Sequence, residues 1–278
     1  MARIKDGLIS GKLGDVVLKV CRNTQVVSAR PAKYTPRRTE KSVTQQCKMS
    51  NGIALWRVLK PHIGGLLGNR EENLTNYNRF LRLYLQSTPV YLQREEARMH
   101  TAVVNDCIVS TGPLKSMDWT HGHSKWLSNI MAQSLQPATM PDGTITLHNW
   151  CQHNADWKQN DLLRIIVLKQ FHSTENELPA YVKAWAKDVE ITHLTTLPSL
   201  PHGLEWALET VLPKDAVVNL SIKVPEKFQG GFATIHLRQT PNGIIASQQH
   251  VVCLGKICRI YCNEQSREKA VASYLLRG

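Results

Sequence analysis

From about residue 103 onward the hydrophobic period of this chain is that of strands, and few of them are separated by anything long enough to be a crossover helix. Alternating or β-branched runs occupy residues 103–110, 144–150, 161–170, 181–186, 189–194, 217–224, 232–239 and 244–254. Parallel strands need long, usually helical connections, so this pattern predicts an antiparallel sandwich or barrel rather than a parallel α/β sheet. Pro241-Asn242-Gly243 marks a hairpin between the last two runs, because Asn-Gly tolerates the positive φ of a tight turn. Pro198 and Pro201 place a linker near residues 195–204, and residues 264–276 form an amphipathic helix after the last strand.

The first hundred residues follow other periods. Gly7, Gly11 and Gly14 among small and polar residues predict a flexible or extended arm over residues 1–14 that can lie flat against another surface. Residues 15–20 and 25–29 form a hairpin around Arg22-Asn23, followed by a loop from Pro31 to Arg38. Thr39-Glu40 starts a helix, with Val43, Cys47, Ser50, Ala54 and Val58 as its small-residue stripe and Pro61 as its stop. Leu74, Tyr77, Leu81 and Tyr84 mark a second helix, closed by Pro89. The expected organisation is a basic arm and hairpin over 1–38, a helical hairpin over 39–100, the β region over 101–255 and a tail helix over 256–278. The class is α+β, and a chain of 278 residues with 42% hydrophobic content can bury a sizeable core.

Charge is concentrated at one end. The first 60 residues hold 13 Lys and Arg against three acids, which is +10 of the chain's net +12. A cationic end implies a partner that accepts it. Arg30, Lys33, Arg37, Arg38 and Lys41, with Tyr34 among them, are the candidate contacts for nucleic acid or an acidic partner, through phosphate pairing and stacking. Ile4, Leu8, Leu13, Val16 and Val17 are the candidate assembly residues of the arm. A homo-oligomer is expected, because unpaired edge strands invite strand addition. No 18-residue apolar run and no signal-peptide core occur, so the chain is expected to be made in the cytoplasm without a membrane span.

Catalytic patterns are weak. His121 and His123, with His148, Cys151 and His153 further on, are the sharpest metal candidates. Alternation along a strand sends His148 and Cys151 to opposite faces, so no metal site is assigned. Cys253, Cys258 and Cys262 lack zinc-ribbon spacing and are expected to be buried small hydrophobes or a single thiol pair. Glu71-Glu72 and Glu95-Glu96 fall on solvated helix faces. Dinucleotide-binding, P-loop and nucleophile-elbow motifs are all missing from the sequence. The expectation is a non-enzymatic protein without a cofactor; an enzyme or metal protein with a His/Cys site is the alternative.

Several motifs resemble a Bacteroidota domain family of unknown function: the opening Met1-Ala2-Arg3-Ile4-Lys5, the segment from Gly11 to Val17, Arg30-Pro31-Ala32-Lys33, Pro36-Arg37-Arg38-Thr39-Glu40 and Leu59-Lys60-Pro61. Val109 to Leu114, Gly143 to Trp150, Leu212 to Asp215 and Ser247 to Gly255 resemble its later strands, so the likeness spans about residues 1–255. The extra arginine in Pro-Arg-Arg-Thr, the sequence around 196–208 and the tail depart from it. What the resemblance implies is a helical N-terminal part ahead of an immunoglobulin-like β part, with no catalytic residues. The order of arm, hairpin and helix is also similar to that of some phage structural proteins, which implies a place in a virion or larger assembly.

Overall fold

The computed structural model describes residues 3–5, 8–21, 24–29, 39–68, 74–121, 125–133, 156–172, 180–191, 197–212 and 217–275. The chain divides into two compact units, one of residues 1–39 with 71–73 and one of residues 40–70 with 74–278. The fold is mixed α and β, and its sheets are antiparallel.

The larger unit is built on a five-stranded sheet of β8 (Leu162–Phe171), β9 (Tyr181–Glu190), β12 (Gly230–Thr240), β13 (Gly243–Ala246) and β15 (Val252–Leu254). Its order is β13-β12-β8-β9, with β15 also on β12. β8 and β12 pair antiparallel over eight residues, from Leu162↔Leu237 to Lys169↔Gly230. Both are apolar on both sides because both faces of the sheet are covered. Ile166, Leu168, Ala233, Ile235 and Leu237 share a core with helix α1 (Glu40–Ile63) and helix α2 (Asn76–Tyr84). Leu163, Ile165, Val167 and Phe232 pack with Leu220, Ile222 and Trp206 of a second sheet. That sheet has order β10-β11-β7-β6, from β6 (Trp119–His121), β7 (Lys125–Gln133), β10 (Glu205–Leu212) and β11 (Val217–Lys223). Neither sheet closes on itself. The β12–β13 hairpin turns at Pro241-Asn242, with Thr240 opposite Gly243 at φ +116°, as the sequence leads one to expect.

Several expectations shift. α1 continues through Pro61 to Ile63, whose side chain is fully buried. The proline sits in the last turn, where its missing N–H removes only one bond. The buried stripe runs Val43, Cys47, Asn51, Leu55, Leu59, Ile63, not through Ser50 and Val58. Gly52 lets α2 approach, since a Cβ there would lie 2.6 Å from the Tyr84 ring. The 103–110 run is a strand only as β5 (Ile108–Ser110), paired with β14 (Gln249–His250). Residues 102–104 instead bond to side-chain amides. Asn51 accepts from the Val103 N–H at 2.8 Å and donates to its carbonyl at 2.9 Å. Gln170 accepts from the Val104 N–H at 2.8 Å and donates to the Ala102 carbonyl at 2.9 Å. The expected strand at 144–150 lies outside the described residues. A helix α3 (Arg94–Arg98) and a short α4 (Ile257–Tyr261) precede the terminal helix α5 (Glu264–Leu275). α5 shares a small core of Val43, Cys47, Ala270, Val271 and Tyr274 with α1.

In the smaller unit, the expected arm is instead a pair of strands. β1 (Arg3–Lys5), β2 (Leu8–Leu13), β3 (Val16–Cys21) and β4 (Thr24–Ala29) form a four-stranded meander in that order. Gly14 starts the β2–β3 turn at φ +57°, the value that the first central position of a two-residue hairpin loop of type II′ requires. The hairpin of β3 and β4 around residues 22–23 is present as expected.

Asn51→Ala should lower the unfolding free energy by about 2–4 kcal/mol, because it strands the buried Val103 N–H and carbonyl. Urea unfolding followed by far-UV circular dichroism measures it, and a change under about 0.5 kcal/mol would contradict this role.

Candidate assembly surface and the other chemical clusters

The register of the smaller sheet sorts its residues by face, because residues directly opposite in an antiparallel ladder point to the same side. Leu18 pairs with Val27, Val16 with Ala29 and Val20 with Gln25. These six residues share one face, and none carries a charge. Lys12 pairs with Val17, Lys19 with Val26 and Val17 with Ser28, so the opposite face is the basic one. Leu18 is buried at 8% exposure, whereas Val20 is 39%, Val26 43% and Val27 60% exposed. Lys12 and Lys19 are exposed. The one amide on the apolar face is satisfied, since Gln25 accepts from the Ile9 N–H at 3.4 Å. A sheet of this size has too little core to be stable alone and needs its apolar face covered.

Of the expected assembly residues, Ile4 lies in β1, Leu8 and Leu13 in β2, and Val16 and Val17 in β3. Val16 and Val17 are half-buried, and they belong to opposite faces. Val20 and Val27, which the sequence reading passed over, are the more exposed part of Val16's face. Their signal was there: Val16, Leu18 and Val20 alternate with Val17 and Lys19, but only the pairing shows which strands add to the face. Of the basic candidates, Lys41 is exposed on the first turn of α1. Arg30, Lys33, Tyr34, Arg37 and Arg38 lie outside the described residues.

Other ionisable groups gather within the larger unit. Asp161, His236 and Arg238 meet where residues 156–161 cross the end of β12. His236 Nε2 is 2.7 Å from Asp161 Oδ2, and Arg238 donates to both carboxylate oxygens at 2.8 and 2.7 Å. Trp157 stacks on the His236 ring at 3.7 Å. Burial pushes His236 below the ordinary imidazole value, outweighing the Asp161 hydrogen bond, so the ring is neutral and donates from Nε2. Burial alone would raise Asp161. Hydrogen bonds from Arg238, the Lys158 N–H and His236 outweigh it and hold the carboxyl below its usual range.

Cys47 and Cys107 are buried, and desolvation pushes them up to about 11 and about 12. Cys253, Cys258 and Cys262 are free and only half-buried, a shallower burial than the sequence predicts. A hydrogen bond with Cys253, then burial, raises Cys258 further. Among the described residues no three His, Cys, Asp or Glu side chains are grouped to hold a metal ion. His121 is exposed on β6 with its ring 5.1 Å from that of Trp126, and His123, His148, Cys151 and His153 lie outside the described residues. Glu96 departs from the solvated face expected of it: it caps α3 by accepting from the Gln93 N–H and takes a bond from the Tyr261 hydroxyl. A cavity of about 170 Å³ between Gly65, Thr111, Gly112 and Ile245 is lined by no ionisable side chain. Among the described residues no helix is long and apolar enough to cross a membrane.

No family model, curated protein or solved structure matches this chain.

The Asp161 cluster makes stability depend on pH in two windows. His236 titrates below its unfolded value of 6.5, so its contribution is complete above that pH and falls as the pH drops below it. Asp161 titrates below 3.8, so its contribution is present above 3.8 and is lost in stronger acid. The melting temperature should therefore decline from pH 6.5 to 5. His236→Gln should flatten that decline, and an identical slope in the variant would contradict the assignment.

Proposed function

We propose that this protein is a non-enzymatic structural component that assembles with copies of itself through its N-terminal sheet. The observation that carries the reading is the charge-free face of Val16, Leu18, Val20, Val27 and Ala29, with Val20 and Val27 exposed, in a unit of its own. Leaving such a face in water costs roughly 25 cal/mol per Å² of apolar surface, and association removes that cost. In this reading the helices and the two packed sheets, as an immunoglobulin-like sandwich, form the body that the N-terminal sheet holds in the assembly. The resemblance to the Bacteroidota family and the analogy with phage structural proteins agree with a role of this kind, in a virion-like particle or filament.

A second reading is favoured by Lys12 and Lys19, both exposed on the opposite face of the same sheet. Cations on one face and an apolar surface on the other suit an assembly that contacts nucleic acid, and the sequence adds further cations between residues 30 and 41.

Light scattering on the purified full chain tests the first reading. The mass should be a multiple of the 31.4 kDa chain, and Val16→Asp with Val20→Asp should lower it. A wild-type chain that stays monomeric across the concentration range would defeat the proposal. For the second reading, Lys12→Glu with Lys19→Glu should reduce the slope of log K against log salt by about 2, roughly one unit per lost phosphate contact. An unchanged slope would remove these lysines from any nucleic-acid surface.

A further inference from the structure

β4 is the last strand of its sheet, and among the described residues no strand pairs with its outer edge. An open edge is a template for another strand, and folded proteins blunt such edges with charges, proline or short length. The other edges of this protein follow that rule. β9 carries Lys183, Lys187, Asp188 and Glu190, and β10 carries Glu205 and Glu209. β1 and β6 are three residues long and β13 is four. β4, with the sequence Thr-Gln-Val-Val-Ser-Ala, has six residues, no charge and no proline, and five of the six are exposed.

The ladder shows which backbone groups the edge offers. Cys21 and Thr24 close a two-residue connection between β3 and β4, so they form a hydrogen-bonded pair and the pattern alternates from there. Thr24, Val26 and Ser28 direct their N–H and carbonyl groups to β3. Gln25, Val27 and Ala29 direct theirs outward, where no described strand receives them.

We infer that β4 pairs with β4 of a second copy, antiparallel, about a dyad at Val27, joining two four-stranded sheets into one of eight strands. The inference rests on the assembly reading and specifies its contact. Charge selects the occupant. β1, the opposite edge of the sheet, is Arg-Ile-Lys, and a chain of net charge +12 that paired through it would set cations against cations. Of the two symmetric pairings that this sheet's edges allow, β4 against β4 is the one that brings together strands without like charges. In this register Val27 meets Val27 of the second copy and Gln25 meets Ala29, giving about six backbone hydrogen bonds from groups that face outward in one copy. Val27 lies on the face of Val16, Leu18 and Val20, so the apolar surface continues across the dyad without a break. A two-fold contact of this kind is self-complementary and closes at two copies.

Proline substitution separates this edge from the face. Val27→Pro and Ala29→Pro each delete an outward N–H while leaving the β3 ladder in place and keeping an apolar, uncharged side chain at that position of the face, and proline is tolerated at such edge positions. Either variant should halve the mass measured by light scattering, with an unchanged far-UV circular dichroism spectrum. Amide exchange resolved to single residues gives a second readout that needs no variant. The amides of Gln25, Val27 and Ala29 should be protected about tenfold or more in the assembled wild type and lose that protection on dilution to single chains. An assembled wild type whose mass survives both prolines, or whose three amides exchange freely, would overturn the β4 pairing and leave the assembly reading standing. A monomeric wild type would overturn both.

Discussion

The pairing of β8 with β12 is the contact on which the larger unit depends. Eight residues of each strand lie side by side, and the strands are apolar above and below, so neither face can meet water. This is unusual for an antiparallel sheet, which commonly leaves one face wet. The remaining layers follow from it. α1 and α2 close one face with Leu55, Leu59, Phe80 and Tyr84, and the second sheet closes the other with Leu220, Ile222 and a group of tryptophans.

A sheet covered on both sides leaves few places for polar groups, and several of those inside are engaged in specific ways. Asn51 and Gln170 stand in for a missing neighbour strand by bonding the backbone of residues 102–104. Trp119 donates to the Thr234 hydroxyl at 2.8 Å, which lets a hydroxyl sit in the middle of β12 beneath the second sheet. At the far end of β12, His236 and Arg238 converge on Asp161, and Trp157 covers the imidazole. A carboxylate flanked by an imidazole can suggest catalysis. Here the carboxylate is tied by Arg238 and the imidazole is stacked beneath an indole, so both groups are held in place by several partners at once.

The smaller unit is organised by the opposite condition. Its single meander cannot cover its own apolar face, so the alternation that builds a core elsewhere here leaves valines at the surface. Lys12 and Lys19 lie on the other side of the sheet. One short stretch of chain thus offers a charge-free surface, a basic surface and an uncharged strand edge, each in a different direction.

The change of hydrophobic period near residue 103, the Pro-Asn-Gly hairpin and the helices starting at Glu40 and ending at Leu275 were legible in the sequence. Each depends on neighbours within a few positions, where periodicity and turn chemistry act. The arm was misjudged because glycine spacing suggests flexibility, while strand pairing between β1, β2 and β3 depends on partners that a linear reading does not weigh. The helix stripe slipped from Ser50 to Asn51 for a related reason. An asparagine is a poor core residue until the backbone of Val103 arrives to bond it. By itself the sequence determined where strands and helices could form and which end carries the charge, since those follow from local propensity and composition. Only the tertiary structure decided which face of the N-terminal sheet is apolar, which edge is left without charge and which buried polar groups meet, because these are set by register and by contacts between residues far apart in the chain.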